Sequence, residues 1–278
     1  MKKLISLFAA ALLLIGCQVI PSDEQLIPMG SSEPQSRAFL AEFTGFLCVN
    51  CPNAAVMAHD LLNLYPDNFV VVEMHPKSNT FCQTTIAEYD YTCPAADTIY
   101  KALGGTSTTA FPTGVVNLNS GLQDYTSWPA LVSASILKEK EGRVQLSLAS
   151  VQDRSITVAY HAEALSSNDS RTGKELNLRL MLLLVEDDIA GPQMMPDGST
   201  NMAYTHNHVL RASLFDDVWG APLSLLVNQP ANGMQVTAFQ VPEMNNGQAI
   251  NMQNCSVVGV LMDAATREVH DVELLKLF

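Results

Sequence analysis

Between residues 37 and 75 the alternation of apolar and polar positions changes twice. Residues 37–44 (Arg-Ala-Phe-Leu-Ala-Glu-Phe-Thr) form a short, largely apolar run that reads as a strand. Residues 52–64 then carry Ala54, Ala55, Ala58, Leu61 and Leu62 at helical spacing. Pro52 suits the first turn of that helix, where its missing N–H would lack a partner anyway. Residues 68–75, with Phe69-Val70-Val71-Val72, are continuously apolar, as a strand covered on both faces of a parallel sheet must be. Together these make a βαβ unit. A helix near residues 95–103, a strand over 111–116 opened by Phe111-Pro112-Thr113, and a helix over 128–141 with Trp128, Leu131, Val132, Ile136 and Leu137 near one face complete this half.

After Gly142 the period becomes two. Residues 143–150 and 155–160 alternate apolar and polar side chains, as half-buried antiparallel strands do. Runs at 176–186, 233–241, 255–262 and 269–277 add strands separated by Asn, Gly and Asp turns, which predicts an all-β antiparallel sandwich over 142–278. Residues 187–202, with Gly191-Pro192 and Asp197-Gly198, read as a long surface loop. His206-Asn207-His208 would put two imidazoles on one strand face, two ligands short of a closed metal site.

The N-terminus is of another kind. Met1-Lys2-Lys3, an apolar stretch over 4–15 and then Gly16-Cys17 make an export signal too short to span a bilayer. Leu14-Ile15-Gly16-Cys17 resembles the bacterial lipobox, which implies cleavage after residue 16 and acylation of Cys17. Several acyl chains on one residue anchor stably. Residues 17–36, rich in proline and serine, then form a tether. Ser22-Asp23-Glu24 beside the lipid looks like the surface-export signal of lipoproteins from the Bacteroidota. These features predict a protein held on the outer membrane by lipid, on either its periplasmic face or the cell surface.

Hydrophobic residues make up 47% of the 278 and charged residues 15%, enough core material to exclude disorder along most of the length. The net charge of −13 and the absence of any cluster of four basic residues exclude nucleic acid as a partner. No Gly-rich phosphate loop, serine elbow or HExxH is present, and no cofactor is expected.

Export sets the redox context of the cysteines, because thiols beyond the inner membrane meet an oxidising environment. Setting Cys17 aside for lipid, Cys48, Cys51, Cys82, Cys93 and Cys255 remain, an odd number. Cys48-Val49-Asn50-Cys51 is a C-x-x-C, a redox pair or half of a zinc site, and zinc would want a second such pair, which the sequence lacks. Copper carried by the two thiolates with His75 or His59 is a further alternative. Cys82 and Cys93 lie among polar, turn-like residues; a disulfide between them would close a loop worth about 3 kcal/mol in the chain-entropy account. They could instead serve as a second exchanging pair. Cys255 sits in an apolar strand, as a buried free thiol does.

A C-x-x-C at a helix start followed by Phe-Pro-Thr opening a later strand resembles the thioredoxin fold. That resemblance implies a cis Pro112, with Phe111 and Thr113 beside it presenting backbone to a substrate peptide. Glu42, six residues before Cys48, falls where thioredoxins hold a buried acid beside the second cysteine. More narrowly, Glu-Phe-Thr-Gly, two further residues and C-x-x-C-P are similar to the twenty-eight-kilodalton outer membrane protein family of Bacteroidota lipoproteins, which joins a thioredoxin-like half to a β-rich half. The implied organisation is a leader over 1–16, a lipid-anchored linker over 17–36, an α/β thioredoxin-like domain over 37–141 and a sandwich over 142–278.

The implied chemistry follows from position. A cysteine at a helix N-terminus faces unpaired N–H groups and the positive end of the helix dipole, which favour the thiolate. Cys48 would attack, Cys51 would resolve the mixed disulfide, and Glu42 would carry the proton. The partners would be thiols or disulfides of exported proteins. Leu47 in place of the usual tryptophan, and Val-Asn in place of Gly-Pro between the cysteines, depart from thioredoxin. They leave open a non-catalytic surface protein whose C-x-x-C is structural and whose sandwich binds a protein or glycan. Oligomeric state is not encoded legibly.

Overall fold

The computed structural model describes residues 36–84, 86–229 and 234–278. The leader, Cys17 and the tether through residue 35 lie outside the described residues. The chain is mixed α/β and mostly strand. Its first part runs β1 (Ala38–Phe43), α1 (Cys51–Leu64), β2 (Phe69–Met74), α2 (Pro94–Ala102), β3 (Thr113–Val116) and α3 (Trp128–Ile136). Helix α3 ends at Ile136, short of its predicted end at 141, and the lysines beyond it pair with the C-terminal segment. Lys138 pairs with Glu268 at 2.7 Å and Lys140 with Asp271 at 3.3 Å.

The second part is entirely β: β4 (Gly142–Gln152), β5 (Ser155–Ala164), β6 (Glu175–Glu186), β7 (Ile189–Met194), β8 (Thr200–His206), β9 (Val209–Ser213) and β10 (Ala221–Leu226). There follow β11 (Gln235–Gln240), the short β12 (Met244–Asn245) and β13 (Gln248–Ala249), then β14 (Cys255–Asp263) and β15 (Val269–Lys276). The predicted loop at 187–202 is therefore mostly the hairpin β7–β8, a two-stranded sheet of its own, whose turn is built on Asp197-Gly198.

One sheet runs through both parts in the order β15-β14-β6-β9-β2-β1-β3, with β10 also on β6. β1 and β2 are parallel, and β2 meets β9 at the single registered pair Glu73 and Val209. The change of character at Gly142 is thus a change in secondary structure within one packed body. Strand β6 shows why. Leu178, Leu180, Leu182 and Leu184 face a core shared with Val144 and Leu146 of β4 and Ile156 and Val158 of β5. The alternate residues Met181, Leu183 and Val185 face a second core with Phe43 of β1 and Ile99 and Tyr100 of α2. Covered on both faces, such a strand must be apolar without interruption.

The other face of β1 and β2 carries a third core. Ala38, Leu40, Phe69 and Val71 pack there under Ala54, Ala58 and Leu61 of α1 and Trp128, Val132 and Ile136 of α3. A salt bridge ties the start of β1 to β15: the Arg37 guanidinium donates from Nε and Nη2 to both carboxylate oxygens of the fully buried Asp271, at 2.8 and 2.7 Å. Asp271 also accepts the Val144 N–H at 2.9 Å.

Candidate functional site

Cys48 and Cys51 are joined as a disulfide, their Cα atoms 5.4 Å apart, with Cys51 the first residue of α1. The turn that carries them leaves the C-terminal end of β1 through Thr44, Gly45 and Phe46. The β3 strand starts at that same end, since Phe43 pairs with Thr113, and the Phe111–Pro112 peptide before it is cis. Phe111, Pro112 and Thr113 are all buried. The Phe111 ring stacks on Phe81 at 5.7 Å, and the Thr113 hydroxyl donates to the Gln123 carbonyl at 3.1 Å.

Both sulfur-bearing residues are also buried: Cys48 is 1% and Cys51 2% exposed. Two segments hold the turn. On one side the Leu47 N–H donates to the Phe81 carbonyl at 3.1 Å, and a Cβ on Gly45 would meet that same carbonyl oxygen at 2.5 Å, so this position must be glycine. On the other side lies β7. The Met194 N–H donates to the Phe46 carbonyl at 2.8 Å. The Gln193 amide donates to the Cys48 carbonyl at 2.9 Å, to the Gly45 carbonyl at 3.4 Å and to the Met194 carbonyl at 3.1 Å. A register shift between Gly191 and Gln193 turns that side chain inward, the usual effect of a bulge. Nothing in the composition of residues 187–202 announces this contact.

Glu42 sits on the α1 face of β1, at the end where α1 begins, fully buried and with neither carboxylate oxygen hydrogen-bonded. Burial pushes its carboxyl up to about 8. Directly across the parallel pair stands Glu73, also buried, whose carboxyl is pushed well above the ordinary range by burial and then by Glu42. Glu73 escaped the sequence reading, although a single acid in Val-Val-Val-Glu-Met was the available signal.

The other described cysteines are free. The expected Cys82–Cys93 disulfide is not formed, and each thiol has another local partner. The Cys82 thiol lies 3.1 Å from the Thr44 carbonyl, and Cys93 caps α2 by accepting the Ala96 N–H at 3.4 Å. Burial raises the Cys82 thiol well above its ordinary value and the Cys93 thiol to about 11, so both are protonated and poor nucleophiles near neutral pH. Cys255 is likewise free and buried.

The histidines do not assemble a metal site; among the described residues no group of three His, Cys, Asp or Glu side chains could hold a metal. His59 is exposed on α1. His206 ends β8 and His208 lies in the turn after it, so the two do not share a strand face. His208 pairs with Asp187 at 3.1 Å, while His206 packs against Tyr91 at 4.5 Å and His75 at 6.1 Å between ring centroids. Burial lowers His206 to about 4 and His75 well below its usual value, so both rings are neutral.

The profile of the outer membrane protein Omp28 family matches residues 97–277. The chain belongs to the Omp28 family. The match starts inside α2 and runs through the β-rich half, beyond the C-x-x-C, and the outer membrane is where this family resides. No curated protein matches the sequence. Among solved structures, HBP35 of Porphyromonas gingivalis superposes with a TM-score of 0.62 at 15% identity, over 87% of this chain and 76% of that one. That likeness is one of fold. A domain of the outer membrane lipoprotein Omp28 of Porphyromonas gingivalis matches at 20% identity over 49% of this chain and 87% of that one, with a TM-score of 0.34. A protein of Agrobacterium tumefaciens matches at 10% identity over 87% of this chain and 94% of that one, with a TM-score of 0.48. No helix of the described residues is long and apolar enough to cross a membrane.

Proposed function

We propose that this Omp28-family chain is a lipoprotein, anchored through Cys17, that exchanges disulfides with exported proteins through Cys48 and Cys51. The observation that carries the reading is the disulfide at the start of α1, where the positive end of the helix dipole favours a leaving thiolate. Two features of the fold support it. The buried carboxyl of Glu42, held protonated by burial, lies on the face covered by α1 and would give its proton to the Cys51 thiolate as it leaves. The cis Phe111–Pro112 peptide starts β3 at the same end of the sheet. With the β1-α1-β2 order, these features favour a thioredoxin-like first half, and Phe111, Pro112 and Thr113 would present backbone to a substrate strand. The facing β4–β5 and β6–β14 layers favour a sandwich in the second half.

The test is trapping. In the direction that reduces a partner, the Cys48 thiolate attacks a partner disulfide, one partner sulfur leaves as a thiol, and Cys51 normally resolves the mixed disulfide, so Cys51→Ser should leave Cys48 bound to partners. Adducts visible on non-reducing gels of whole envelopes, and absent from the Cys48→Ser/Cys51→Ser double variant, are the expected result. A clean Cys51→Ser lane would sink the reading. The burial of both cysteines favours a second reading, a structural disulfide in a surface protein whose β-rich half binds a protein or glycan partner. In that case the reduction potential of the pair lies far below about −300 mV.

A further inference from the structure

Attack on a disulfide requires a thiolate to approach one sulfur along the line of the bond that breaks, and neither cysteine offers that path in the closed structure. What covers the turn is not uniform. Residues 79–82 belong to the body, where the Asn79 amide reaches Tyr100 and the carbonyls of Thr106 and Thr109. The β7–β8 hairpin pairs only with itself, and Thr200, Asn201, Met202, Ala203 and Thr205 of its outer strand are exposed. Its seat is the inner strand β7, where Ile189, Gly191, Pro192 and Gln193 are buried: Gln193 and Met194 on the cysteine turn, the His206 ring against the Pro192 carbonyl at 3.3 Å, and Ile189 with Tyr91 and Phe46.

We propose that the β7–β8 hairpin is a gate over Cys48–Cys51, latched by the Gln193 amide on the Cys48 and Gly45 carbonyls, and that exchange occurs only while the hairpin is lifted. The inference rests on the exchange reading and deepens it. In the lifted state a thiolate of a dithiol attacks Cys48 Sγ. The Cys48–Cys51 bond breaks, its electron pair leaves on Cys51 Sγ, which takes a proton, and a new bond joins Cys48 to the dithiol. The second thiolate of the dithiol then attacks its own bonded sulfur, releasing Cys48 and leaving the dithiol oxidised to a disulfide. A unit that shares no ladder with the main sheet, and whose apolar contacts form a small cluster apart from the main cores, opens more readily than the cooperative core.

Gly191 supplies a handle. A Cβ there would stand 1.7 Å from the Tyr91 hydroxyl oxygen, and that ring is wedged among Phe46, His75 and His206, so Gly191→Ala forces the hairpin off its seat. Gln193→Ala removes the latch alone. The experiment follows reduction of the oxidised full chain in detergent by dithiothreitol, quenched with a mass-tagged maleimide. A gate predicts that the wild-type rate levels off as dithiothreitol rises, at a plateau that urea barely accelerates. Gln193→Ala should raise the rate at low dithiothreitol about tenfold, the worth of one to two lost hydrogen bonds. Gly191→Ala should raise it at least as much.

A wild-type rate that stays linear in dithiothreitol, with Gln193→Ala unchanged, overturns the gate. So does a plateau with the full urea dependence of global unfolding, which would mean that only the unfolded chain reacts. If Gly191→Ala fails to fold, the wild-type curve and Gln193→Ala still decide. Failure of the exchange reading looks different: the gate opens and dithiothreitol reduces the pair, yet Cys51→Ser traps no partner even in the Gln193→Ala background.

Discussion

Glu42 is the residue whose removal should change stability most instructively. In the folded chain its carboxyl is buried without a hydrogen-bond partner and titrates at about 8, against an ordinary value of 4.5. Below 4.5 both folded and unfolded chains hold the proton, and the residue contributes nothing to pH dependence. Between 4.5 and 8 the unfolded chain has lost the proton and the folded chain keeps it, so stability falls by about 1.4 kcal/mol for each pH unit. Above 8 the loss is complete, on the order of 5 kcal/mol. Glu42→Gln places a neutral amide in the same space and does not titrate. Its stability relative to wild type should therefore rise in its favour between pH 4.5 and 8, and stay level outside that window. Urea unfolding of the oxidised proteins at half-unit pH steps measures this, with matched slopes as evidence that both chains unfold alike. A difference between the two proteins that does not change from pH 4.5 to 8 would refute the assignment of a buried, protonated Glu42. The same substitution takes away the proton donor proposed for Cys51, so the wild-type and Glu42→Gln chains should also differ in the pH profile of their reduction by dithiothreitol.

Three further outcomes test other parts of the structure. The His206 ring is held neutral by burial with a value of about 4 against an ordinary 6.5, so its contribution to stability is complete above pH 6.5 and is lost as pH falls toward 4; in His206→Gln the acid limb of the stability curve should flatten over that range. Denatured, unreduced protein should give three maleimide-reactive thiols, Cys82, Cys93 and Cys255, where a Cys82–Cys93 bridge would leave one. Asp271→Asn breaks a buried bidentate pair with Arg37 and should cost about 3 kcal/mol in urea unfolding, and a cost under about 1 kcal/mol would show that the pair is dispensable.

What the sequence made legible was whatever is decided locally. The apolar run of β2, the helical spacing of α1 after Pro52 and the alternation of β4 and β5 each reflect one element meeting one layer, and each lies within a residue or two of its predicted place, apart from extensions of β4 and β5 at their ends. The cysteine pair at the start of α1 was visible for the same reason. Contacts between distant segments left no such trace. Residues 187–202 have the glycine, proline and aspartate content of a loop, yet Gly191 is required by the approach of Tyr91, a close contact of the kind that composition does not encode. The pairing of Cys82 with Cys93 was inferred from redox context and loop length, whereas their fates are set by the Thr44 carbonyl and the first turn of α2. Glu73 becomes informative only once parallel pairing puts it beside Glu42.

The lone registered pair between Glu73 of β2 and Val209 of β9 carries a consequence for how such chains can be rearranged by evolution or by engineering. A graft made at residue 142 would look natural from the change in strand content, but it would remove the acceptor of the Glu73 N–H and the β6 and β14 side chains that share a core with Val72 and Met74. Apolar surface stripped of its cover associates with other copies. Fragments cut at that point should therefore be found in aggregates.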